Sequence, residues 1–377
     1  MELLRDAWVE IDVKKLSANF MEIRRAVGDG VRICAVLKAQ AYGMGGAETA
    51  KVLDRLGADA FAVATLSEAL EIRSVVPEKE ILVLGHVPVA GYEAAILHRI
   101  SLTMFREEAL RSLNGKAVAL GALAKIHIKV NTGMNRIGFP PTEEGVDSVV
   151  AAFALPHIQV AGVFTHLAVA DEKDPSIARL QVARFDRFLD MLRKRGVSLP
   201  TVHISASPAL CNYPEFDRDM VRPGLMLTGH YASMEVSRDR IRLQPCVKLK
   251  ARLGNLMWVK AGEGIGYGHT VRLEKDTPVG LLPLGFSDGF TRSFSNHFFV
   301  TIRSIRCPVI GTICMDHCMI DLSAVSDAKV GEEIVVYGDG TEGADGAYSP
   351  QQVADLRGTV VDEVLTNLSP RLPRVYI

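Results

Sequence analysis

The chain has 377 residues, more than one hydrophobic core usually holds, so we expect two domains or one barrel with a smaller companion. Its 43 lysines and arginines nearly balance 44 aspartates and glutamates, and no long basic block occurs, which argues against a nucleic-acid or membrane-surface partner. No basic cluster precedes an apolar leader and no segment offers about 18 apolar residues in a row, so we expect a soluble, cytoplasmic protein that binds a small molecule. Six irregularly spaced cysteines predict reduced thiols.

Short apolar runs alternate with helical patterns from residue 31 to about 228, which is typical of repeated βα units on a parallel sheet. Eight strand candidates follow in chain order: VRICAVLK, DAFAVA, ILVLG, SLTMF, KIHIKVN, IQVAGVF, TVHIS and MVRPGLML. Eight such units close into a (β/α)8 barrel of the TIM type, so the fold class is α/β.

After about residue 240 the sequence changes to strands and turns, with SMEVSRDRIRLQ as the expected linker. We therefore expect a barrel over 1–238, with a leading N-terminal strand, and a mainly β domain over 239–377. A helix is predicted from SPQQVADLRG, where Ser349 caps the first turn and Pro350 suits its first position.

Polar side chains stand where the predicted barrel strands end, at the rim that carries barrel active sites. These residues are Lys38, Lys129, Asn131, His166, His203, Ser207 and Arg222. A lysine in a poorly solvated pocket has a lowered pKa and can form a Schiff base with an aldehyde cofactor. The alternative for Lys38 is a surface lysine whose stem packs while its ammonium stays in water.

Three further motifs have a functional and a structural interpretation. The Ser207 hydroxyl of HISASPAL and the Gly224 and Leu225 backbone of VRPGLMLTG suit a phosphate. The alternative for the first motif is an ordinary helix start, and for the second an ordinary turn. In HIKVNTGMNRIGF, Arg136 with Lys129 suits a carboxylate, or forms an exposed cationic loop.

Tyr267, between the glycines of GIGYGHT, can reach into a cleft or an interface, or pack within a hairpin. The segment CMDHC at 314–318 contains metal-ligand residue types. Strand alternation would send Cys314 and Cys318 to one face and His317 to the other, so we favour strand packing and expect no metal.

The segment AVLKAQAYGMGG resembles the cofactor-lysine motif of bacterial alanine racemases, which are pyridoxal-phosphate enzymes built from a barrel and a β domain. The similarity continues in family order from near residue 8 to the C-terminus, through these segments: HIKVNTGMNRIGF, GVFTHLAVAD, HISASPAL, VRPGLMLTG, GIGYGHT, PLGFSDGFTRSFSN, GTICMDHCMIDLS and SPRLPRVYI. It covers nearly the whole chain.

This resemblance implies an isomerase that interconverts L- and D-alanine with pyridoxal 5'-phosphate, as a homodimer with shared active sites. Lys38 would bond to the cofactor aldehyde and act as one base, and Tyr267 of the partner subunit would be the base on the opposite face. The resemblance also implies that Arg222 contacts the pyridine nitrogen. The phosphate would be held by Tyr42, Ser207, Gly224 and Leu225.

The resemblance also implies the substrate side of the site. Arg136 would steady Tyr267 and the substrate, and Lys129, which is carbamylated in some such sites, would support Arg136. His166 would hydrogen-bond Arg222. The Met315 backbone N–H would bind the substrate carboxylate, with Asp316 as a supporting neighbour.

Several positions depart from the family pattern, and they cluster around the expected pocket: Gln40, Met44, Asn131, Ala206, Thr228, Phe286 and Asp362. Phe286 and Asp362 stand where the family has tyrosines, and Asp362 replaces the ring that touches the phosphate and narrows the substrate entrance. The substrate is therefore alanine or, with a wider entrance and an acceptor at Asp362, serine or another larger polar amino acid. The sequence leaves open whether the D-amino acid serves the cell wall.

Two other interpretations remain. A pyridoxal-phosphate decarboxylase of the same architecture usually has an acidic group at the pyridine nitrogen, whereas this sequence offers Arg222. A non-catalytic protein that binds the cofactor would be a single barrel without the segment after residue 240.

Overall fold

The structure is a computed structural model that describes residues 3–377. It contains two compact units. The barrel unit comprises Ser17–Gln244, and the β unit comprises the N-terminal segment up to Leu16 together with Pro245–Ile377. No helix within residues 3–377 is long and apolar enough to cross a bilayer.

The barrel unit is a closed barrel of eight parallel strands in which each strand pairs with its sequence neighbour and the last pairs with the first. Numbering begins with the N-terminal strand β1 (Ala7–Ile11) of the β unit, so the barrel strands are β2 (Arg32–Val36), β3 (Ala60–Val63), β4 (Glu80–Val83), β5 (Ser101–Met104), β6 (Ala124–Lys129), β7 (Ile158–Phe164), β8 (Thr201–Ala206) and β9 (Met220–Arg222). Each corresponds to one of the eight predicted segments. The predicted α/β barrel class is therefore confirmed.

Helix α1 (Val13–Val27) precedes the first barrel strand. The helices that connect the barrel strands are α2 (Lys38–Tyr42), α3 (Gly46–Arg55), α4 (Leu66–Val75), α5 (Tyr92–Leu97), α6 (Glu107–Ala119), α7 (Glu143–Phe153), α8 (Ser176–Lys194) and α9 (Ser207–Asn212). Strand β3 is apolar on both faces and all four of its residues are buried, because helices cover the outside of the barrel and side chains fill the inside.

The β unit contains a nine-stranded sheet in the order β11-β14-β17-β16-β15-β18-β10-β1-β19 and a two-stranded sheet of β12 and β13. Its remaining elements are β10 (Val247–Arg252), β11 (Asn255–Val259), β12 (Gly264–Ile265), β13 (Val271–Arg272), β14 (Thr277–Leu282), β15 (Phe299–Ile302), β16 (Ile305–Ile310), β17 (Cys318–Asp321), β18 (Glu333–Tyr337), α10 (Pro350–Arg357), α11 (Val361–Thr366) and β19 (Arg374–Tyr376). The predicted helix is confirmed as α10, in which the Ser349 hydroxyl accepts a hydrogen bond from the Gln352 N–H.

Two features differ from the expected domain ranges. The N-terminal strand, expected to lead the barrel, lies in the β unit, because β1 pairs with β10 and β19. Along the chain, the barrel unit ends at Gln244 rather than near residue 238, because Arg240 of the expected linker hydrogen-bonds to Leu210, Ala26 and Asp217 of the barrel unit.

The expected strand alternation of CMDHC is wrong. Residues 314–317 form a turn, closed by a hydrogen bond from the Cys314 N–H to the His317 carbonyl, and β17 begins only at Cys318. Cys318 is buried in the sheet. Within residues 3–377, no group of histidines, cysteines and carboxylates is arranged to hold a metal, and all six cysteines are free thiols.

Candidate active site

Lys38 begins a left-handed helical turn directly after the first barrel strand. The four residues 39–42 have φ values between 50 and 56°, although none of them is glycine. Each such residue costs about 1–2 kcal/mol, because its Cβ crowds the following carbonyl oxygen. A strained turn of this kind persists only where surrounding contacts enforce it.

Side chains from helix α4 enforce this turn. The Glu68 carboxylate accepts a hydrogen bond from the Ala39 N–H at 2.6 Å. The Gln40 amide donates to Glu71 at 2.8 Å, and its oxygen accepts from the Gly46 N–H at 3.0 Å. Gln40, one of the departures from the family pattern, therefore ties the turn to both neighbouring helices.

The turn carries Lys38 beyond the buried strand. We expected a poorly solvated amine, but the Lys38 side chain is exposed in the single chain, which corrects that expectation. Its Nζ atom lies 5.6 Å from the centre of the Tyr42 ring. The apolar run ends at Leu37, so the lysine leaves the core as the backbone turns at the strand end.

Tyr42, Ser207 and Gly224 meet at one place on the rim. The Ser207 hydroxyl accepts a hydrogen bond from the Gly224 N–H at 2.9 Å. A Cβ atom at Gly224 would lie 2.5 Å from the Tyr42 hydroxyl, so only glycine leaves room between them. Leu225 follows as the first residue of a 3-10 turn, and Ala206 supplies no side-chain cap to α9. Two hydroxyls and adjacent backbone amides fit a phosphate group.

Arg222 is almost completely buried, at 3% exposure. Its Nη1 lies 2.8 Å from His203 Nδ1, and its Nη2 donates to the carbonyl oxygens of Thr165 at 2.9 Å and Ile204 at 2.7 Å. His166 Nδ1 lies at a longer 3.5 Å from Nη2. Burial lowers the pKa of Arg222 to about 10, so the guanidinium is still a cation at neutral pH.

Cations are concentrated near Arg222. Lys129 is 4% exposed, and its ammonium lies 4.4 Å from the Phe164 ring centre. Burial, followed by the charges of Arg222 and Arg136, holds the pKa of Lys129 well below its usual value. The pKa of His166 is also lowered well below its usual value, by burial first and then by Lys129, Arg222, Arg136 and Lys38. Within residues 3–377, no carboxylate forms an ion pair with Lys129.

Arg136 lies exposed in the loop after β6. Asn131 shapes this loop, since its side-chain oxygen accepts hydrogen bonds from the N–H groups of Gly133 at 3.2 Å and Asn135 at 2.9 Å. An aspartate would accept the same two bonds, but it could not replace the Asn131 amide group, which donates to the Asn135 side-chain oxygen at 3.1 Å.

The β unit gathers a second group of predicted site residues around a cleft of about 480 Å³. The cleft is lined by Gly266, Tyr267, Cys314, Met315, Asp316, His317 and Met319. Tyr267 is 72% exposed and stands between Gly266 and Gly268, whose φ values of 63° and 73° favour glycine. Asp316 pairs with Arg371 at 2.5 Å, which lowers the pKa of the carboxyl group.

The two departures expected at the substrate entrance also lie in the β unit. Phe286 is 42% exposed, and its N–H donates to the Cys314 carbonyl, next to the cleft-lining Met315. Asp362 is half-buried in the first turn of α11.

Sequence reasoning missed several residues that organise the rim. Glu68 and His127 do not lie at strand ends, and Phe164, which ends β7, is apolar, so none of them is among the polar residues at predicted strand ends. His127 had one usable signal: it stands two residues before Lys129 in an alternating strand, which places both side chains on the same face. The sequence gives no sign of the role of Glu68 beyond its position near a helix start, because Glu68 and Ala39 are 29 residues apart in the chain.

A closed (β/α)8 barrel joined to a mainly β unit is the architecture of the alanine racemase fold. The family model for the alanine racemase N-terminal domain matches residues 11–232, and the model for the C-terminal domain matches residues 246–376. The chain belongs to the alanine racemase family, and it is an amino-acid racemase, an isomerase.

Individual relatives are similar to this chain over its full length. An alanine racemase of Desulforamulus reducens is 38% identical over 371 residues, which cover 98% of each chain. The structure of alanine racemase from Clostridium difficile 630 has a TM-score of 0.95 at 34% identity and covers 100% of this chain and 97% of that one. A histidine racemase from Leuconostoc mesenteroides has a TM-score of 0.90 at 26% identity, with coverage of 100% and 99%.

Proposed function

We propose that this enzyme interconverts L- and D-alanine by a two-base mechanism with pyridoxal 5'-phosphate as its cofactor. The observation that carries the proposal is the arrangement of Tyr42, Ser207 and Gly224 on the barrel rim that also carries Lys38 and Arg222. The two hydroxyl groups and the backbone beside Gly224 are groups of the kind that hold the phosphate of such a cofactor. Family membership supports the same assignment.

Five residues besides Lys38 would hold the cofactor. Tyr42, Ser207, Gly224 and Leu225 would bind its phosphate, and Arg222 would face its ring nitrogen. When bound, pyridoxal phosphate acidifies the α-proton of an attached amino acid by taking up the electron pair. Arg222 scarcely gives up its proton, so it would leave the ring nitrogen unprotonated, which favours returning a proton at the α-carbon.

Racemisation removes a proton from one face of the α-carbon and returns one to the other face, so two bases must flank it. Lys38 would serve one face and Tyr267 of the partner subunit the other. Arg136 would steady Tyr267 and the substrate, and Lys129 would support Arg136. Because its pKa is lowered, the Lys129 amine would be able to add carbon dioxide and release a proton, and the resulting carbamate would be an anion beside Arg136.

The cleft around Tyr267 would receive the substrate carboxylate. Its backbone includes Met315, whose N–H would donate to the carboxylate, while Asp316, paired with Arg371, would fix the turn. His166 would contact Arg222 from the barrel side.

The roles of the two bases can be distinguished by measuring exchange of the α-proton with deuterated water. The wild type should convert either enantiomer of alanine into the racemate. Tyr267→Phe should stop racemisation but still exchange the α-proton of one enantiomer, because Lys38 still serves one face. Racemisation at the wild-type rate in Tyr267→Phe would refute the assignment. A holoenzyme that releases carbon dioxide, or binds the cofactor without turnover, would favour the decarboxylase or the binding protein.

The shared active site can be tested by mixing inactive variants. Lys38→Ala and Tyr267→Phe chains that exchange freely form half of all dimers as heterodimers, in which one of two sites has both bases. Mixing should therefore restore about a quarter of the wild-type activity. Two inactive variants that stay inactive after exchange would exclude a shared site.

A second candidate is a racemase for serine or another larger polar amino acid. The observations that favour it are Asp362 and Phe286 in place of family tyrosines, and the full-length similarity to a histidine racemase. Rates for L-alanine, L-serine, L-lysine and L-histidine should be compared between the wild type and Asp362→Tyr. A preference that shifts toward alanine in the variant would support a substrate role for Asp362, and an unchanged preference would exclude it.

A further inference from the structure

A row of hydrogen-bonded polar side chains crosses the interior of the barrel, where apolar side chains usually pack. It begins at Arg222 on β9 and continues to His203 on β8, with Nη1 and Nδ1 2.8 Å apart. His203 Nε2 lies 2.9 Å from His127 Nδ1 on β6, and His127 Nε2 lies 3.1 Å from Glu80 Oε1 on β4. Both histidines are fully buried.

One set of bond directions satisfies both ends of this row, the donor-only guanidinium of Arg222 and the carboxylate of Glu80, which only accepts. In this arrangement His203 Nδ1 accepts from Arg222 and carries no proton. His203 therefore carries its proton on Nε2 and donates to His127 Nδ1. His127 in turn carries its proton on Nε2 and donates to Glu80. Both imidazoles are neutral, and the row runs from a guanidinium to a carboxylate.

Glu80 is well suited to terminate the row. Its side chain is 9% exposed, and its Oε1 also accepts from Lys125 at 2.9 Å and Ser101 at 3.0 Å, while Oε2 pairs with Arg32 at 3.2 Å. Burial opposes ionisation, but the hydrogen bonds from His127 and Lys125 outweigh it and hold the pKa of Glu80 well below its usual value. The acceptor at this end is therefore a carboxylate.

The packing leaves the two rings little freedom. Phe164 stacks on His203 with ring centres 4.6 Å apart and an interplanar angle of 5°, and the Arg222 guanidinium lies 5.2 Å from the same phenyl ring. A Cβ atom at Gly162 would lie 2.2 Å from His127 Nδ1, so glycine on β7 makes room for this imidazole. With both rings confined, the proton position on each ring is the main variable left.

We propose that Glu80 and His127 are positioning residues for Arg222, acting from within the barrel. Glu80 holds the proton of His127 on Nε2, His127 then accepts from His203, and His203 offers Arg222 the lone pair that orients its guanidinium. Without the carboxylate, either histidine can move its proton to Nδ1, and His203 would then point an N–H at Arg222. The catalytic consequence rests on the proposed function, in which Arg222 faces the cofactor.

Nitrogen-15 NMR of histidine-labelled holoenzyme at neutral pH tests the row itself. The resonances that disappear in His127→Gln and His203→Gln identify the two rings. We expect both Nδ1 atoms to be unprotonated and both Nε2 atoms to be protonated. An imidazolium, or a proton on Nδ1 of either ring, would overturn the proposal. This readout needs no activity, so it stands apart from any failure of the proposed function.

Three variants test the role in catalysis. Glu80→Gln can keep its amide oxygen toward His127 and its NH2 group away from it, so it should retain both tautomers and kcat within about threefold. Glu80→Ala removes the acceptor and should lower kcat about 10- to 100-fold with little change in KM, as expected for the outer partner of a functional histidine. Lys116→Gln removes the ion pair with Glu93, which has no contact with the row, and kcat should stay within about twofold. Wild-type tautomers and kcat in a folded Glu80→Ala protein would refute the proposal.

Discussion

Replacing Glu68 with alanine should loosen the left-handed turn that carries Lys38 while leaving the barrel intact. The carboxylate accepts three backbone N–H groups, from Ala39 at 2.6 Å, Ala64 at 2.9 Å and Thr65 at 3.0 Å. It is therefore the contact that joins the turn to the start of helix α4. The Thr65 hydroxyl still caps the helix in the variant, so the helix itself should persist.

The magnitude follows from these contacts. A hydrogen bond to a charged acceptor contributes about 1.5–3 kcal/mol, and the exposed Ala39 N–H recovers part of this from water. We expect the free energy for opening the turn to fall by about 2 kcal/mol. The left-handed conformation of four residues already costs about 4–8 kcal/mol, so the contacts that remain in the variant stabilise the turn by little more than this cost.

Hydrogen exchange of the cofactor-free protein measures this opening. The amides of Ala41 and Gly43 are hydrogen-bonded within the turn, to the carbonyls of Leu37 and Ala39. A loss of 2 kcal/mol should speed their exchange roughly thirtyfold. Glu48→Gln, an exposed acid in the neighbouring helix α3, serves as the matched control. Equal exchange in the two variants would refute the assignment of Glu68.

Gly224→Ala should weaken cofactor binding more than tenfold in an absorbance titration, because its Cβ would meet the Tyr42 hydroxyl, whereas Gly30→Ala, in open space, should bind normally. Ser349→Ala should lower the free energy of unfolding in urea by about 1 kcal/mol, through loss of the cap on α10. Burial lowers the pKa of His230 to about 4, so between pH 6.5 and 4 the unfolded chain binds a proton that the folded chain does not. The free energy of unfolding should fall by up to about 3 kcal/mol as the pH is lowered over this interval, and His230→Gln should lack this part of the pH dependence. A variant with the full wild-type pH dependence would contradict the role of His230.

The barrel could be predicted from sequence because each strand is a short apolar run between helical patterns. Because the parallel strands of a barrel all end at the same rim, residues at strand ends, such as Ser207 and Arg222, could be placed together from the sequence. The left-handed turn could not be predicted, since Ala39 and Gln40 have no preference for positive φ and adopt it only through contacts with α4.

The remaining differences come from long-range pairing. The Arg222 partners on β8, β6 and β4 depend on which side chains face the barrel interior, and Glu80 lies at the opposite strand end from the rim. The N-terminal strand joins the β unit through pairing with β10, more than 230 residues later in the chain. The local pattern of either strand gives no sign of this partner.

The most direct test of the central claim is chiral chromatography of L-alanine incubated with the wild-type holoenzyme and with Lys38→Ala. The wild type should form D-alanine until both enantiomers are equally abundant. Lys38→Ala should neither form D-alanine nor retain the covalently bound cofactor. A wild-type holoenzyme that leaves L-alanine unchanged, or a Lys38→Ala variant that racemises it normally, would contradict the assignment of Lys38 and of the reaction.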